Sequence, residues 1–293
     1  MTPRILDALP RPVAWVLTSG GGRAAAQVGM AEVLLEQEYQ PDLIVGSSFG
    51  AINAAALPGP DPDLGRLRVF WEKLPEQSVF SSLGTAAVRG LGPRTSKHAR
   101  EFRSLIASAL AASNDTQIPA ELVLVASDLE TGRPVMLRQG QLVEAVAAAC
   151  TLPVVLPPVE INGRLLIDGG MSASAPLQQA VDAGAKSIVL LDTATSAVPE
   201  AELKDIRWWQ IAALSYNHQI RSQIGLALPN VAGQVPVALI SADEGRILEF
   251  TEPQELFQAG RRAAARALAS ELRDQNLARP GVHGVLARER LAQ

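Results

Sequence analysis

A serine lies at the centre of the most informative segment of this chain, the G-S-S-F-G run at residues 46–50. An apolar run at residues 43–45 precedes it, and a small-residue helical run at 51–57 follows. Glycine on both sides of such a strand-to-helix turn avoids a Cβ clash. The pattern predicts a nucleophile elbow, with an exposed Ser48 Oγ at a helix N-terminus, where partial positive charge favours a developing anion.

Acyl transfer from a serine also needs donors that bind an oxyanion. The segment T-S-G-G-G-R-A-A at residues 18–25 is the candidate, because consecutive glycines before a helix direct backbone N–H groups into one concavity. Arg23 would orient this loop or add positive charge. The predicted oxyanion residues are Gly20, Gly21, Gly22 and Arg23.

Two other interpretations of the glycine run stay open. One is a tight strand–helix turn that binds nothing. The other is a dinucleotide loop, since Gly20-x-Gly22-x-x-Ala25 fits that fingerprint. A dinucleotide loop needs an acidic residue at the end of the second strand, whereas Asp42 lies at its start and Gly46 at its end.

The candidate base is Asp168, which follows the apolar run at residues 165–167 and precedes two glycines. An aspartate at a strand's carboxyl end can sit open at the mouth of a sheet, the edge where parallel-sheet proteins place ligands. An aspartate that only caps a local turn is the alternative. Beside Ser48 and the glycine loop, Asp168 becomes the favoured base. The predicted supporting residues are Gly46, Gly50, Gly169 and Gly170.

A histidine base is the competing hypothesis. Ser48, an acid and then His218 or His283 would follow the chain order of an α/β-hydrolase triad. That fold places several strands before its nucleophile, whereas only two are predicted before Ser48. His218 falls within a predicted helix, and His283 in a tail flanked by proline and glycine.

Hydrophobic periodicity predicts an α/β protein in which a mostly parallel sheet is covered by helices. Asn162-Gly163 between two apolar runs predicts a hairpin. We expect one domain over residues 1–293, with a core at about 13–195, a cap-like insertion at about 58–117, and a C-terminal strand and helix at about 235–275. Strands are predicted at 13–17, 43–45, 121–126, 134–137, 159–161, 165–167, 187–191 and 235–240, and helices at 24–37, 51–57, 64–74, 100–112, 142–149, 176–183 and 253–274.

Composition limits the classes of function. The chain is 47% hydrophobic and 19% charged, which suits a sizeable core, and its net charge of −4 gives no footprint for nucleic acid. One cysteine and three scattered histidines predict neither a disulfide nor a metal site. Without a secretory signal or a run of about 18 apolar residues, the sequence predicts a cytoplasmic protein and leaves contact with a membrane surface open.

Several ordered motifs carry a family resemblance. They are S-G-G-G-R at 19–23 with Q-V-G at 27–29, P-D-L-I-V-G-S-S-F-G-A at 41–51, S-D-L-E-T-G at 127–132, L-P at 152–153, P-P-V at 157–159 and D-G-G at 168–170. In this order the chain resembles the patatin-like phospholipases, particularly the small bacterial members built from the catalytic domain alone. The resemblance runs from about residue 13 to 192, with a looser tail to about 275.

The resemblance implies a three-layer α/β/α fold and a Ser48–Asp168 dyad without histidine. It further implies a lipid acyl ester as substrate, the Gly20–Arg23 loop as oxyanion hole, and no cofactor. Ser19 and Ala24 depart from the family's glycines, and Ser174 stands where asparagine is common, a departure that we expect to alter the support of Asp168. Ala24 leaves open a second class of function, a non-catalytic regulator that binds lipid or acyl groups.

Overall fold

One mixed sheet organises the protein. The computed structural model describes residues 4–74, 96–112, 115–153, 155–193, 208–242, 244, 252–273 and 275–285. The strands are β1 (Val13–Leu17), β2 (Leu43–Ser47), β3 (Leu122–Asp128), β4 (Pro134–Leu137), β5 (Val159–Ile161), β6 (Arg164–Ile167), β7 (Ser187–Asp192), β8 (Pro236–Ser241) and β9 (Gly281–His283). The helices are α1 (Ala26–Glu36), α2 (Phe49–Ala55), α3 (Leu64–Lys73), α4 (Ser96–Ala109), α5 (Leu142–Ala149), α6 (Leu177–Asp182), α7 (Trp208–Ala232) and α8 (Pro253–Arg266).

Pairing connects the strands in the path β5-β6-β3-β2-β1-β7-β8-β9, and β3 has three partners, because β4 pairs with it as well as β2 and β6. The run from β3 through β2, β1, β7 and β8 to β9 is parallel throughout. β4, β5 and β6 pair in antiparallel fashion, with Asn162 and Gly163 at the turn between β5 and β6. The mostly parallel sheet and the Asn-Gly hairpin are therefore confirmed.

Both faces of the sheet are covered. Alternate residues of β1 point to opposite faces, so Ala14 and Val16 pack with α6 and α7, whereas Trp15 and Leu17 pack with the other helices. A strand buried on both faces needs apolar side chains throughout, and this explains the continuous apolar runs seen in the sequence. The predicted three-layer α/β/α fold is confirmed.

The position of β6 decides where the site forms. Ser127 of β3 pairs with β4 on one edge and with Ile167 of β6 on the other. Two residues earlier, Val125 pairs with β4 on one edge and with Ser47 of β2 on the other. β6 thus lies on the same edge of β3 as β2, in line with it and running in the opposite direction. The carboxyl ends of β2 and β6 consequently meet.

The predicted cap-like insertion is described in part. Helices α3 and α4 both bury apolar residues in the main core, among them Phe70, Trp71 and Ile106. Residues 75–95 between them lie outside the described residues, so a lid over residues 58–117 stays a prediction. None of the described helices combines the length and the hydropathy of a membrane span.

Candidate active site

The turn at Ser48 has an unusual backbone conformation. Ser48 stands between β2 and α2, with φ 55° and ψ −136°. A left-handed φ is unfavourable for a residue with a side chain, and such strain, of about 1–3 kcal/mol, is concentrated at functional sites. The turn therefore holds the serine in a conformation that its own backbone does not prefer.

Gly46 and Gly50 serve close packing around the elbow. A Cβ on Gly46 would lie 2.6 Å from the Cβ of Ala54 in α2. A Cβ on Gly50 would lie 2.6 Å from the carbonyl oxygen of Leu17 at the end of β1. Glycine at these two positions lets the helix begin directly against the sheet, as the sequence argument requires.

Ser48 and Asp168 are in direct contact. The Ser48 hydroxyl donates a hydrogen bond of 2.7 Å to Oδ2 of Asp168, across 120 residues of chain. The exposed fraction is 4% for Ser48 and 1% for Asp168. The expectations of an exposed Ser48 Oγ and of an aspartate open at the mouth of the sheet are therefore wrong for this structure. The reason is the arrival of β6, which ends directly against the elbow.

The carboxylate of Asp168 has two further donors. Oδ1 accepts hydrogen bonds from the Gly170 N–H at 2.7 Å and from the Tyr216 hydroxyl at 3.3 Å. Burial raises the pKa of Asp168 to about 6, although the bonds from Ser48, Gly170 and Tyr216 each lower it. A carboxylate with such a pKa is a stronger base than an exposed one and is still ionised at neutral pH.

The backbone around Asp168 is fixed as well. Its N–H donates to the Thr151 carbonyl at 2.9 Å, and its carbonyl accepts from the Ser127 hydroxyl at 2.9 Å. Gly169 lies against the carbonyl of Val125 in β3, where a Cβ would have no room. Hydrogen bonds at both the N–H and the carbonyl of Asp168 thus fix the backbone from which its side chain extends.

The glycine loop lies at the carboxyl end of β1, the strand beside β2. Residues Gly21–Ala25 form a 3-10 turn that leads into α1. The N–H groups of Gly21 and Gly22 precede the first hydrogen bond of this turn, Arg23 N–H to the Gly20 carbonyl at 3.2 Å. These two amides have no protein acceptor within the described part of the chain. They are available to bind an oxyanion.

Arg23 does not point into solvent. Its exposed fraction is 2%, and it donates a hydrogen bond of 2.8 Å to Oδ1 of Asn217 in α7. Burial lowers the pKa of Arg23 to about 10, and the nearby Asp192 opposes this change. Arg23 is therefore a buried cation at the end of the glycine run, and its hydrogen bond to Asn217 connects this segment to α7.

A buried polar network joins the loop to the elbow. Asn53 of α2 donates to the carbonyl of Ala24 at 2.8 Å and to Oε1 of Gln27 at 2.9 Å, and it accepts from Trp71 Nε1 at 2.9 Å. Gln27 in turn donates to the carbonyl of Thr18 at 2.8 Å. The position of the loop relative to Ser48 is thereby set by side chains of three helices.

Sequence reasoning missed Tyr216 and Asn217. Both lie in α7, which presents Ile220, Ile224 and Leu228 to the core at helical spacing. Extending this apolar stripe back by one turn leads to Tyr216, so a signal was present. This signal is easily missed, because in a sequence the polar groups of Tyr216 and Asn217 are typical of surface residues.

The two candidate histidines lie apart from the site. His218 is exposed on α7. His283 lies in β9, within the predicted segment flanked by proline and glycine, and its Nε2 is 2.9 Å from the carbonyl oxygen of Arg279. Four strand positions separate β9 from β2, which is roughly 19 Å at the usual strand spacing. Neither arrangement favours a histidine base for Ser48.

The dinucleotide interpretation also loses support. Its acidic partner would have to reach the glycine loop, but Asp42 lies at the start of β2. There its carboxylate accepts hydrogen bonds of 2.6 Å from the Val13 N–H and from Arg11. Asp42 therefore fixes the amino ends of β1 and β2, whereas the glycine loop lies at the carboxyl end of β1.

Comparisons with known proteins indicate the family of the chain. The family model described as patatin-like phospholipase matches residues 15–181, which include both Ser48 and Asp168. An uncharacterized NTE family protein of Mycobacterium tuberculosis is 32% identical over 168 residues, which are 56% of this chain and 44% of that protein. Lysophospholipase nte1 of Aspergillus terreus is 29% identical over 186 residues, 62% of this chain and 12% of that protein.

The chain spans less than half the length of these relatives. Among solved structures, VipD from Legionella pneumophila is similar with a TM-score of 0.46 and 12% identity, covering 89% of this chain and 67% of that one. The type III effector protein ExoU is similar with a TM-score of 0.38 and 17% identity, covering 91% of this chain and 54% of that one.

Proposed function

Because the chain belongs to the patatin-like phospholipase family, we propose that it is a serine acyl hydrolase. Its substrates would be carboxylic esters of lipids, in a reaction of the phospholipase A, lysophospholipase or esterase type. Ser48 acts as nucleophile and Asp168 as base, through an acyl-serine intermediate. The observation that carries this proposal is the 2.7 Å hydrogen bond from Ser48 Oγ to Asp168 Oδ2 at a strained elbow.

Acylation begins when Ser48 Oγ attacks the ester carbonyl carbon. The hydroxyl proton passes to Asp168 Oδ2, along the hydrogen bond that already joins the two atoms. The carbonyl oxygen becomes an oxyanion, for which the Gly21 and Gly22 amides supply donors. The carbon–oxygen bond to the alcohol then breaks, and the alcohol leaves with the proton from Asp168. The acyl group remains on Ser48.

Deacylation repeats the sequence with water. Asp168, again ionised, accepts a proton from a water molecule as the water oxygen attacks the acyl carbon. The second tetrahedral intermediate collapses, the carboxylic acid leaves, and Ser48 Oγ recovers the proton from Asp168. One carboxylate thus serves as base and acid in both halves. The pKa of about 6 suits this exchange at neutral pH.

We propose lipid substrates because of the chain's relatives. Hydrolysis of such substrates would take place at a lipid–water boundary. The Aspergillus terreus relative is named as a lysophospholipase. We propose that this chain meets its substrate as a peripheral protein on the cytoplasmic side of a membrane. Sedimentation with phospholipid vesicles tests this part separately, since a protein that stays in the supernatant would contradict it.

The first experiment measures hydrolysis of p-nitrophenyl esters of increasing acyl length by the wild type, Ser48→Ala and Asp168→Asn. Both variants should lose at least about 1,000-fold in kcat, because each removes one partner of a unit that acts together. Ser270→Ala and Asp182→Asn are the matched controls, since both residues are exposed and lie in other elements. These controls should keep wild-type rates.

A fluorophosphonate label separates the remaining possibilities. Labelling of the wild type, lost in Ser48→Ala, supports an activated serine even where no tested ester is cleaved. A wild type that neither reacts with the label nor hydrolyses any ester would instead favour a lipid- or acyl-binding regulator. Full activity in Asp168→Asn would contradict the dyad and return attention to the histidines.

A further inference from the structure

Helix α7 contributes to the site although it lies beyond residues 15–181, the part that the family model matches. Its contacts reach both sides of the candidate dyad. Tyr216 bonds Asp168, and Asn217 bonds Arg23 of the glycine loop. One turn and two turns further along, the Ile220 carbonyl and the Gln223 side chain bond Ser174.

Tyr216 has the geometry of a donor to the base. Its hydroxyl oxygen lies 3.3 Å from Asp168 Oδ1, the oxygen that does not face Ser48. Burial and the neighbouring Asp168 carboxylate both raise the pKa of Tyr216 well above its ordinary value. The phenol therefore keeps its proton at neutral pH, and towards the charged oxygen of Asp168 it acts as a hydrogen-bond donor.

The same hydroxyl also lies close to Gly170. A Cβ on Gly170 would stand 2.6 Å from the Tyr216 hydroxyl oxygen and 2.9 Å from Asp168 Oδ1. The Gly170 N–H and the Tyr216 O–H thus approach Oδ1 together, and the missing side chain leaves room for both. Two donors on Oδ1 resist rotation of the carboxylate about its Cβ–Cγ bond. Such a rotation would turn Oδ2 away from Ser48.

We propose that Tyr216 is the positioning residue of the Asp168 base. Its O–H holds Oδ1 so that Oδ2 stays directed at Ser48, and it stabilises the ionised carboxylate over the neutral acid. The catalytic meaning of this role rests on the proposed function. The effect on Asp168 itself does not, because it follows from the hydrogen bond alone.

The test follows the ionisation of Asp168 without any turnover. Aspartate labelled with ¹³C at the side-chain carboxyl is incorporated, and the Asp168 signal is assigned by its loss in Asp168→Asn. In Tyr216→Phe the titration midpoint should move to higher pH by about half a unit to one unit. This corresponds to a three- to tenfold change in the ionisation constant, as expected for one hydrogen bond to a charged group.

Tyr39→Phe is the matched control, because Tyr39 is the other tyrosine of the chain and its hydroxyl oxygen accepts from the Leu6 N–H, in a different contact. Its Asp168 midpoint should equal that of the wild type. A Tyr216→Phe midpoint that coincides with the wild type would overturn the proposal, since a tyrosine that only fills space leaves the ionisation of Asp168 unchanged.

A second measurement retains the aromatic rings of Tyr39 and Tyr216 and changes only the acidity of their hydroxyls. Replacement of both tyrosines by 3-fluorotyrosine makes the phenol a stronger donor, so the Asp168 midpoint should move to lower pH. No movement, or movement to higher pH, counts against the positioning role. If these shifts are found while the wild type cleaves no ester and resists fluorophosphonate, the proposed function fails and the role of Tyr216 stands.

Discussion

Ser19 donates two hydrogen bonds to the carbonyl of Ser174, one from its N–H at 2.7 Å and one from its hydroxyl at 3.1 Å. These residues are two of the three positions at which the sequence departs from the family pattern. The hydroxyl of Ser174 donates to the Ile220 carbonyl, and its N–H donates to Oε1 of Gln223, both in α7. The departures thus join the start of the glycine loop to α7.

Replacing Ser19 by the glycine that the family pattern favours should therefore destabilise this protein. Ser19→Gly removes the hydroxyl bond and adds backbone freedom to the unfolded chain, for a loss of about 1–2 kcal/mol in the free energy of unfolding. Urea denaturation measures it. Ser19→Ala removes the hydroxyl while restricting the backbone, so it should lose less than Ser19→Gly. Equal stability of Ser19→Gly and the wild type would show that the hydroxyl bond contributes nothing.

Burial of Asp168 predicts a conflict between stability and activity. The pKa of Asp168 is about 6 in the folded protein and near 3.9 in an unfolded chain. The folded state therefore binds this proton more tightly, so the stability that protonation provides is present below about pH 4 and is lost as pH rises through 6. Above pH 6 the ionised carboxylate destabilises the folded state.

Asp168→Asn should remove that destabilisation, and under the proposed function it should also abolish catalysis. At pH 7.5 the variant should unfold with about 1–3 kcal/mol more free energy than the wild type, and the difference should shrink towards pH 4. Urea denaturation at several pH values measures both. Asp182→Asn, at an exposed position of α6, should leave stability within about 0.5 kcal/mol. A less stable Asp168→Asn at pH 7.5 would mean that hydrogen bonds to the carboxylate outweigh its burial.

Most helices and strands can be predicted from the sequence, because each depends on the residue pattern within its own segment. Each central strand is an apolar run bounded by turn residues, and β4 and α5 have the predicted bounds. Ser48 and Asp168 were predicted from their local patterns, and the structure brings them together. The head-on meeting of β2 and β6 was not predictable, because it depends on which edge of β3 each strand occupies. That placement is what buries the pair, so its burial could not be foreseen either.

The contributions of α7 were missed for a related reason. Tyr216 and Asn217 bond Asp168 and Arg23 across 48 and 194 residues of chain. The apolar stripe of α7 indicates that Tyr216 lies on its buried face, but only the register of α7 on the sheet determines which polar groups of that face meet the site. Sequence reasoning found the groups that would react and missed the groups that hold them.

Helices α1 and α8 pack closely against each other at Gly260. A Cβ on Gly260 of α8 would lie 2.7 Å from the carbonyl carbon of Ala26 and 3.1 Å from its Cα, so the helices would have to separate. Gly260→Ala should lower the free energy of unfolding by about 2–3 kcal/mol.

Gly225→Ala is the matched control, because a Cβ there meets open space on the exposed side of α7. It should raise stability by about 0.5–1 kcal/mol, since alanine is the better helix former. The same sign for both variants in thermal or urea denaturation would contradict this account.

Asn53 offers a test of how the elbow and the glycine loop are held together. Asn53→Ala leaves the Trp71 indole N–H, Oε1 of Gln27 and the Ala24 carbonyl without their Asn53 partner, all of them buried. Unsatisfied buried groups of this kind, with the cavity left behind, should lower the free energy of unfolding by about 2–5 kcal/mol.

The proposed catalysis should also suffer, since Asn53 links α2, which begins directly after Ser48, to the turn that carries the Gly21 and Gly22 amides. We expect kcat on p-nitrophenyl esters to fall by about tenfold or more at a temperature where the variant is still fully folded, with a smaller change in KM. Asn230→Ala, at an exposed position of α7, should change neither quantity. An Asn53→Ala protein that is destabilised but keeps its wild-type kcat would show that the network supports the fold alone, and that the loop finds its place relative to Ser48 through the sheet.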